Sequence, residues 1–205
     1  MRKRLSGVLA VVALLGAGSL MTGCTVPFTV EVNFPIGQTF EMKDFLSGLL
    51  AGTPFPANFS SPTVPMCTIP TLDDLINMAA KTSPWISSFV SMVHLKTVEL
   101  LQTTITAESG DFSTLTVLQV FWQPRGGSEA DRLDLGSAQS ATGLGTPFVL
   151  APANPVNFLD ILQQGASPPD DCPKLGVHLE GTVPEAGLSW TIAIKFRVTG
   201  NIGGS

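Results

Sequence analysis

The sequence is poor in the residues that catalytic and metal sites use most. It contains two histidines in 205 residues, His94 and His178, whereas a zinc site needs three or four closely spaced ligands. It has no Gly-x-Ser-x-Gly motif, the turn that presents the nucleophile in many serine hydrolases. We therefore expect both histidines to be ordinary strand residues. The sequence predicts no catalytic residue, no metal site and no cofactor.

Basic charge is also scarce. Lys and Arg total 11 against 16 Asp and Glu, for a net charge of −5. Three of the basic residues lie within residues 1–4, which leaves eight basic against sixteen acidic residues in residues 24–205, a net charge of −8. An acidic chain without a basic cluster is a poor partner for nucleic acid and is repelled by anionic lipid headgroups. We expect no nucleic-acid partner.

The apolar run near the start of the chain is too short to span a bilayer. Residues 5–20 are uncharged and largely apolar, but 16 residues fall short of the roughly 20 that a spanning helix needs. A basic start, a short apolar stretch and small residues at a cleavage position are typical of a secretory signal. An ordinary signal peptidase could cleave after Ala17-Gly18-Ser19, and an uncleaved anchor is the remaining alternative.

The end of this segment resembles the lipobox of bacterial lipoproteins. Thr22 and Gly23 match its small positions, Met21 stands where Leu is usual, and Cys24 follows. The resemblance covers only the signal, and it implies that residues 1–23 are removed and that Cys24 becomes the lipidated first residue. Bacterial lipoproteins typically carry several acyl chains on this cysteine, and stable attachment needs more than one. Thr25, in place of Asp, implies sorting to the outer membrane, with the domain in the periplasm or at the cell surface.

Two cysteines remain if Cys24 carries lipid, as the resemblance implies. Cys67 and Cys172 then form a single pair in an oxidising compartment, which predicts one disulfide. Closing a loop of about a hundred residues should stabilise the fold by roughly 4–5 kcal/mol in the chain-entropy picture. A redox or metal-binding pair is the alternative, but it would normally have Cys-x-x-Cys spacing.

Period-two alternation predicts about seven strands. Residues 26–34 alternate, and Pro27 favours either an edge position or the start of the strand. Residues 94–107 and 115–123 are expected to pair as neighbours through a turn at residues 108–111. The remaining predicted strands are residues 132–135, 147–150, 175–183 and 188–199, of which the last has the clearest alternation.

Helical spacing and capping signals predict four short helices. Residues 40–51 have a helical apolar spacing closed by Gly52. Thr71 can cap a helix that reaches about Lys81, with Asp73 and Asp74 favourable to the dipole in its first turn. Further helices are expected at residues 84–93 and from Asn154-Pro155 to Gly165. Residues 53–70 contain five prolines and are predicted to be an irregular connector.

Together these elements predict a mainly β fold in which residues 24–205 form a single domain. Antiparallel strands with short turns indicate an antiparallel β-sandwich with short helical insertions. No repeat of fixed period is present, which disfavours propellers and solenoids. The long Thr-rich strand and the final strand resemble immunoglobulin-like and LEA-like domains of exported proteins in pattern only.

Other polar motifs have structural interpretations. Asp73-Asp74 and Asp170-Asp171 are adjacent in sequence, so their side chains point in different directions and form no natural carboxylate dyad. Asp170-Asp171 also lacks the spacing of a calcium loop. The glycine-rich stretch at residues 142–146 lacks the Lys of a phosphate-binding loop and is predicted to be a connector.

Apolar residues outside the strands leave three interpretations open. Leu46, Leu49 and Leu50, then Phe55 and Phe59, and the segment from Trp85 to Val93 supply this apolar area. They could cover the ends of the sandwich, form a groove for a lipid or acyl chain, or make a docking patch for a partner protein.

The sequence therefore predicts a lipid-anchored cell-envelope protein with a non-enzymatic structural or protein-interaction role. Its partners would be the membrane, through the lipid anchor, and an envelope protein. Binding of a lipid or another hydrophobic ligand is the alternative function. No particular ligand-binding residues follow from the sequence.

Overall fold

In the part of the chain that the structure describes, nine β-strands form two antiparallel sheets that pack face to face around one hydrophobic core. The computed structural model describes residues 25–203 apart from residues 47, 58, 68–69, 146, 164–171 and 185–187, and structural statements refer to those residues. The predicted antiparallel β-sandwich is confirmed. The signal segment with Cys24, together with Asp170-Asp171 and Gly165, lies outside the described residues.

The larger sheet contains the longest strands of the molecule. Its order is β1 (Val26–Glu41), β9 (Ser189–Ile202) and β3 (Val93–Ser109). Two short strands, β6 (Phe148–Leu150) and β7 (Val156–Asn157), pair with the other edge of β3. Among the described strands, β1 pairs only with β9, and Pro27 is its second residue, so both the edge position and the strand start suggested by Pro27 are observed.

The smaller sheet has shorter strands. Its order is β2 (Val64–Pro65), β8 (Lys174–Gly181), β4 (Leu115–Gln123) and β5 (Leu133–Gln139). The bounds of β4 agree with the prediction. Strand β2 and single bridges at Pro54 and Ser60 lie inside the predicted irregular connector, which therefore contains more regular pairing than its prolines suggested.

Strand β9 buries one of its two faces in the core and leaves the other partly exposed. From Trp190 to Ile202 every second residue is buried, and the residues between them are partly exposed. This alternation was the clearest in the sequence, and it is confirmed. The partly exposed face includes Lys195 and Arg197, which pair with acidic residues on the neighbouring strands.

The prediction that residues 94–107 and 115–123 pair with each other is wrong. Strand β3 lies in the larger sheet and β4 in the smaller one, so the turn between them crosses from one layer to the other. The crossing is stabilised by Phe112, which is fully buried and packs edge-to-face against Phe148 and Trp190. A tight hairpin would leave this ring in solvent.

Helix α1 (Leu72–Thr82) forms as predicted. Thr71 is its N-cap: the Thr71 hydroxyl accepts a hydrogen bond from the Asp74 N–H at 3.1 Å, and the Asp74 carboxylate accepts one from the Thr71 N–H at 2.9 Å. The predicted helix at residues 84–93 is shorter. It consists of α2 (Pro84–Ser87) and a 3₁₀ turn at Val90–Met92, and β3 begins at Val93.

Two predicted helices differ from the structure because strand pairing overrides local spacing. Phe40 and Glu41 extend β1, and only Met42–Asp44 forms a 3₁₀ turn, since the Met42 N–H donates to the Leu188 carbonyl at 2.9 Å. Near Asn154-Pro155 the chain first pairs as β7, and α3 (Leu159–Gln163) begins later than predicted.

The two sheets differ in length, and helices cover the excess of the larger one. Strand β9 has 14 residues and spans about 46 Å, whereas β4 has nine and spans about 30 Å. Leu75 and Ala79 of α1 and Ile86 of α2 are buried in the same core as the strands. Of the segment from Trp85 to Val93, Ile86 is buried as expected for a helix that covers the sandwich, whereas Trp85, Phe89 and Met92 are exposed.

Candidate functional site

Cys67 and Cys172 form the predicted disulfide. Their Cα atoms are 5.0 Å apart across 105 residues of sequence. Cys67 lies just after β2 and Cys172 just before β8, and next to the bridge the Met66 N–H donates to the Pro173 carbonyl at 2.7 Å. The disulfide therefore fastens the Pro-rich connector to an edge of the smaller sheet, which is a structural role.

The two histidines lie in different sheets and share no site. Nδ1 of His178 is 2.7 Å from the Phe59 carbonyl oxygen, and Nε2 is 3.3 Å from a Glu180 carboxylate oxygen. His178 thus holds the connector against β8. His94 is exposed on β3, opposite Asn201. Both histidines lie on strands, as their sequence context predicted.

The acidic pair Asp73-Asp74 lies in the first turn of α1, where Asp74 forms part of the N-terminal cap. The backbone hydrogen bond from Thr71, and then the bond from its hydroxyl, lower the pKa of Asp74. Asp73 is exposed in the same first turn. Within the described residues, no three His, Cys, Asp or Glu side chains approach closely enough to hold a metal ion.

The glycine-rich stretch is a packed loop and not an open cradle. The Leu144 N–H donates to the Leu115 carbonyl at 2.9 Å, and the Leu144 side chain is buried. A Cβ atom on Gly143 would lie 2.2 Å from the Ser113 carbonyl oxygen. The loop closes against the turn that precedes β4 and leaves no room for a phosphate group at Gly143.

Two cavities differ in size and chemistry. An open groove of about 630 Å³ lies beside α1 and α2, lined by both polar and apolar side chains, among them Asp74, Lys81, Phe34, Met78 and Val90. An interior cavity has an entirely apolar lining, but its volume is only about 10 Å³. Ligand pockets are usually some 300–1,000 Å³, so of these two cavities in the described part of the chain the groove has the size to hold a ligand.

Among the described residues, four of the six large exposed apolar side chains lie at one end of the larger sheet, where β1 begins and β9 ends, and Leu50 and Val149 are the other two. We call Val26, Trp85, Phe89 and Met92 the apolar end; their exposed fractions are 51%, 42%, 44% and 48%.

Strand register and direct contacts bring these four residues to the same end. Val26 is paired with Ile202, which is paired on its other side with Val93, the neighbour of Met92. The Gly203 N–H donates to the Met92 carbonyl at 3.0 Å. The Trp85 ring meets the ring of Phe28 of β1 edge-to-face at 6.4 Å.

Charge is distributed unevenly between the two ends of the sandwich. No acidic residue occurs between Asp74 and Glu99, between residues 25 and 30, or after residue 197, and these stretches build the apolar end. The basic residues Lys81 and Lys96 are exposed at its margins. At the far end of the same strands, the described acidic residues include Glu41, Asp44, Glu108 and Asp111.

Sequence reasoning identified only part of the apolar end. The sequence indicates the apolar segment from Trp85 to Val93, but the alternation of residues 26–34 predicts that Val26 lies on the buried face of its strand. Val26 is the first residue of β1 and is 51% exposed, whereas Phe28, on the same face of the strand, is buried. Of the other apolar candidates, Leu46, Phe55 and Phe59 pack against the core, and Leu50 remains 74% exposed.

No helix within the described residues is long and apolar enough to cross a bilayer. The chain matches no family model, and no curated protein matches it.

Solved structures of viruses show weak likeness. A turnip yellow mosaic virus chain is 15% identical, with 96% of this chain and 90% of that chain covered and a TM-score of 0.30. A chain of mud crab dicistrovirus is 10% identical, with coverages of 100% and 83% and a TM-score of 0.28. For infectious bursal disease virus Gx strain the identity is 11%, the coverages are 92% and 36%, and the TM-score is 0.26. Likeness at this level carries no argument about function.

Proposed function

We propose that this protein is a lipid-anchored protein of the bacterial cell envelope, sorted to the outer membrane, with a non-enzymatic structural or protein-interaction role. The observation that carries the proposal is the position of Cys24 relative to the fold. Strand β1 begins at Val26, so a lipidated Cys24 would be joined to a core strand through Thr25 alone. The anchor would then hold the domain close to the membrane.

The disulfide supports an exported location. Structural disulfides persist in oxidising compartments such as the bacterial periplasm and the cell surface. The bridge between Cys67 and Cys172 closes a long loop at a sheet edge, where it stabilises the fold and performs no chemistry that the structure describes.

Charged side chains on the larger sheet support a non-enzymatic role because they pair with each other across neighbouring strands. On the outer face of the larger sheet, Lys195 lies 2.6 Å from Glu31, and Arg197 lies 3.2 Å from Glu99. The hydrogen bond from Lys195 lowers the pKa of Glu31. Such cross-strand pairs are the usual stabilising contacts of a sheet.

The test is the intact mass and cell fraction of the full-length protein, produced in a bacterium that processes lipoproteins. We expect a membrane-bound chain that starts at an acylated Cys24 and is two mass units light for the disulfide. Cys24→Ser should release the protein from the membrane without lowering its melting temperature, because the anchor lies outside the core. Cys67→Ser is the matched control and should remain membrane-bound. A soluble, unmodified chain that starts at Leu20 would contradict the proposal.

Binding of a hydrophobic ligand is a second candidate function, favoured by the groove beside α1 and α2. Its apolar lining includes Phe34, Met78 and Val90. Lipid extracted from the purified protein, beyond the acyl chains on Cys24, would support this function if Met78→Asp abolished its retention. Equal retention by the variant would place the lipid elsewhere.

A further inference from the structure

We propose that the apolar end docks on the surface of the phospholipid bilayer that holds the anchor. The strands of the larger sheet then point away from the membrane, and the acidic end faces the aqueous compartment. This inference rests on the proposed function, because it requires acyl chains on Cys24.

The chain path brings the apolar end to the membrane. Two residues of extended chain span at most about 7 Å, so Val26 lies within that distance of an anchored Cys24. Interfacial apolar groups enter a bilayer by roughly 5–10 Å, a depth similar to the distance between Cys24 and Val26. Because the tether raises the effective concentration of the surface at the bilayer, a small apolar patch is sufficient for docking.

The residue types at the apolar end suit the membrane interface. Trp is enriched there because its ring is largely apolar and its N–H is polar, and Phe89 and Met92 add apolar contact. The stretch from Ser83 to Val93 contains no charged side chain, although charged residues make up 13% of the sequence. No desolvated charge would therefore oppose entry into the interface.

The charge distribution removes the repulsion expected for an acidic protein at an anionic surface. The acidic residues lie outside the segments that build the apolar end, and Lys81 and Lys96 are exposed at its margins. Lys96 lies at this end of the sheet. Its Nζ donates to the side-chain oxygen of Asn201 at 3.1 Å when the Asn201 amide nitrogen is oriented toward the Gly200 carbonyl. Lysines near anionic headgroups favour binding, and the charges at the far end are separated from them by several Debye lengths.

The size of the patch favours a lipid surface over a second protein. Four side chains that are about half exposed offer on the order of 400 Å², about half of the roughly 800 Å² per partner in a standard stable interface. A tethered domain does not need that area, since the acyl chains supply the attachment and the patch only has to orient the domain.

Trp85 provides a reporter for docking. It is 42% exposed, whereas Trp122 and Trp190 are each only 2% exposed. We would reconstitute the acylated protein into phosphatidylethanolamine and phosphatidylglycerol vesicles that contain brominated acyl chains, and measure tryptophan quenching. We expect a quenched component of the emission that Trp85→Phe removes. Quenching that persists unchanged in Trp85→Phe would overturn the inference.

Matched charge substitutions test which surface is involved. Phe89→Asp lies in the apolar end, and Leu50→Asp alters an exposed apolar residue outside it. We expect Phe89→Asp to lower the ratio of docked to undocked protein about tenfold, because a carboxylate is costly at the interface, and Leu50→Asp to leave it unchanged. Equal effects of the two substitutions would overturn the inference. Melting temperatures check that both variants are folded.

The intact mass separates this inference from the proposed function. An unacylated chain would overturn the proposed function and this inference with it. An acylated chain whose Trp85 emission is unaffected by brominated lipid would overturn the docking inference alone. A third outcome is that the protein forms dimers in detergent and that Phe89→Asp dissociates them. The apolar end would then bind a second copy of the chain, and the docking inference would be overturned even if quenching were seen.

Discussion

The loop at residues 142–145 packs closely against the turn before β4, and Gly143 is the residue that permits this contact. Its φ of 95° lies in the region that residues with a Cβ rarely adopt, and a Cβ there would meet backbone atoms of Ser113. Gly145, two residues later, has open space around its Cα and an ordinary φ. The two glycines therefore have different structural roles.

We expect Gly143→Ala to lower the free energy of unfolding by about 2–3 kcal/mol, because it adds both backbone strain and a steric clash. Gly145→Ala is the matched control and should change the free energy by less than about 0.5 kcal/mol. Urea unfolding of both variants measures the difference. A similar stability for the two variants would mean that the loop does not pack as described.

Single residues also show where sequence reasoning succeeds. The capping role of Thr71 could be predicted because a capping box depends only on residues three apart in the chain. The bond from His178 to the Phe59 carbonyl could not be predicted, because the two residues are 119 positions apart. Only the packing of the connector on β8 brings them together.

At the scale of elements, helix α1 depends on its first turn. The reciprocal hydrogen bonds of Thr71 and Asp74 stabilise the ionised Asp74 carboxylate, so its pKa in the folded protein is lower than its ordinary value of 3.8. A carboxyl group whose pKa is lowered by folding stabilises the folded protein at pH values above the ordinary pKa of the group. That contribution is lost as the pH falls through the folded value.

We expect Asp74→Asn to be less stable than the wild-type protein at neutral pH, by up to about 1 kcal/mol, the usual worth of a helix cap. The difference in free energy of unfolding should shrink as the pH falls from about 5 to about 2, because the wild-type carboxylate becomes protonated. Urea unfolding across this range measures it. Asp73→Asn, at the exposed neighbour, is the control, and a pH-independent deficit in Asp74→Asn would contradict the explanation.

The strands were easier to predict than their partners. Alternation along β9 and the bounds of β4 follow from local sequence, because a strand with one buried face must alternate. The pairing of β3 with β9 and of β4 with β8 does not follow, since the same alternation suits either sheet. The extension of β1 through Phe40 likewise required a partner, Trp190, that is distant in sequence.

At the scale of the whole molecule, the disulfide closes a loop that contains most of the sandwich. Five of the described strands, β3 to β7, lie between Cys67 and Cys172, and β2 and β8 border that interval. Cross-linking residues so far apart restricts the unfolded chain more than a short loop would.

We expect the double substitution Cys67→Ser and Cys172→Ser to lower the free energy of unfolding by up to roughly 4–5 kcal/mol, with no change in membrane attachment. Thermal unfolding of the oxidised and reduced wild-type protein provides the comparison, since reduction should have a similar effect. Equal melting temperatures for the oxidised protein and the double variant would show that the bridge contributes no stability.

The sequence by itself determined the β-sandwich class, the disulfide pair, helix α1 and the alternation of the central strand, because each depends on local periodicity, capping or the number of cysteines. Only the tertiary structure decided which strands share a sheet, that residues 40–41 extend a strand, and that Val26 joins Trp85, Phe89 and Met92 in one exposed patch. These features arise from contacts between segments far apart in the chain. Local sequence constrains the faces that an element can bury, and the packing of the complete fold selects what covers them.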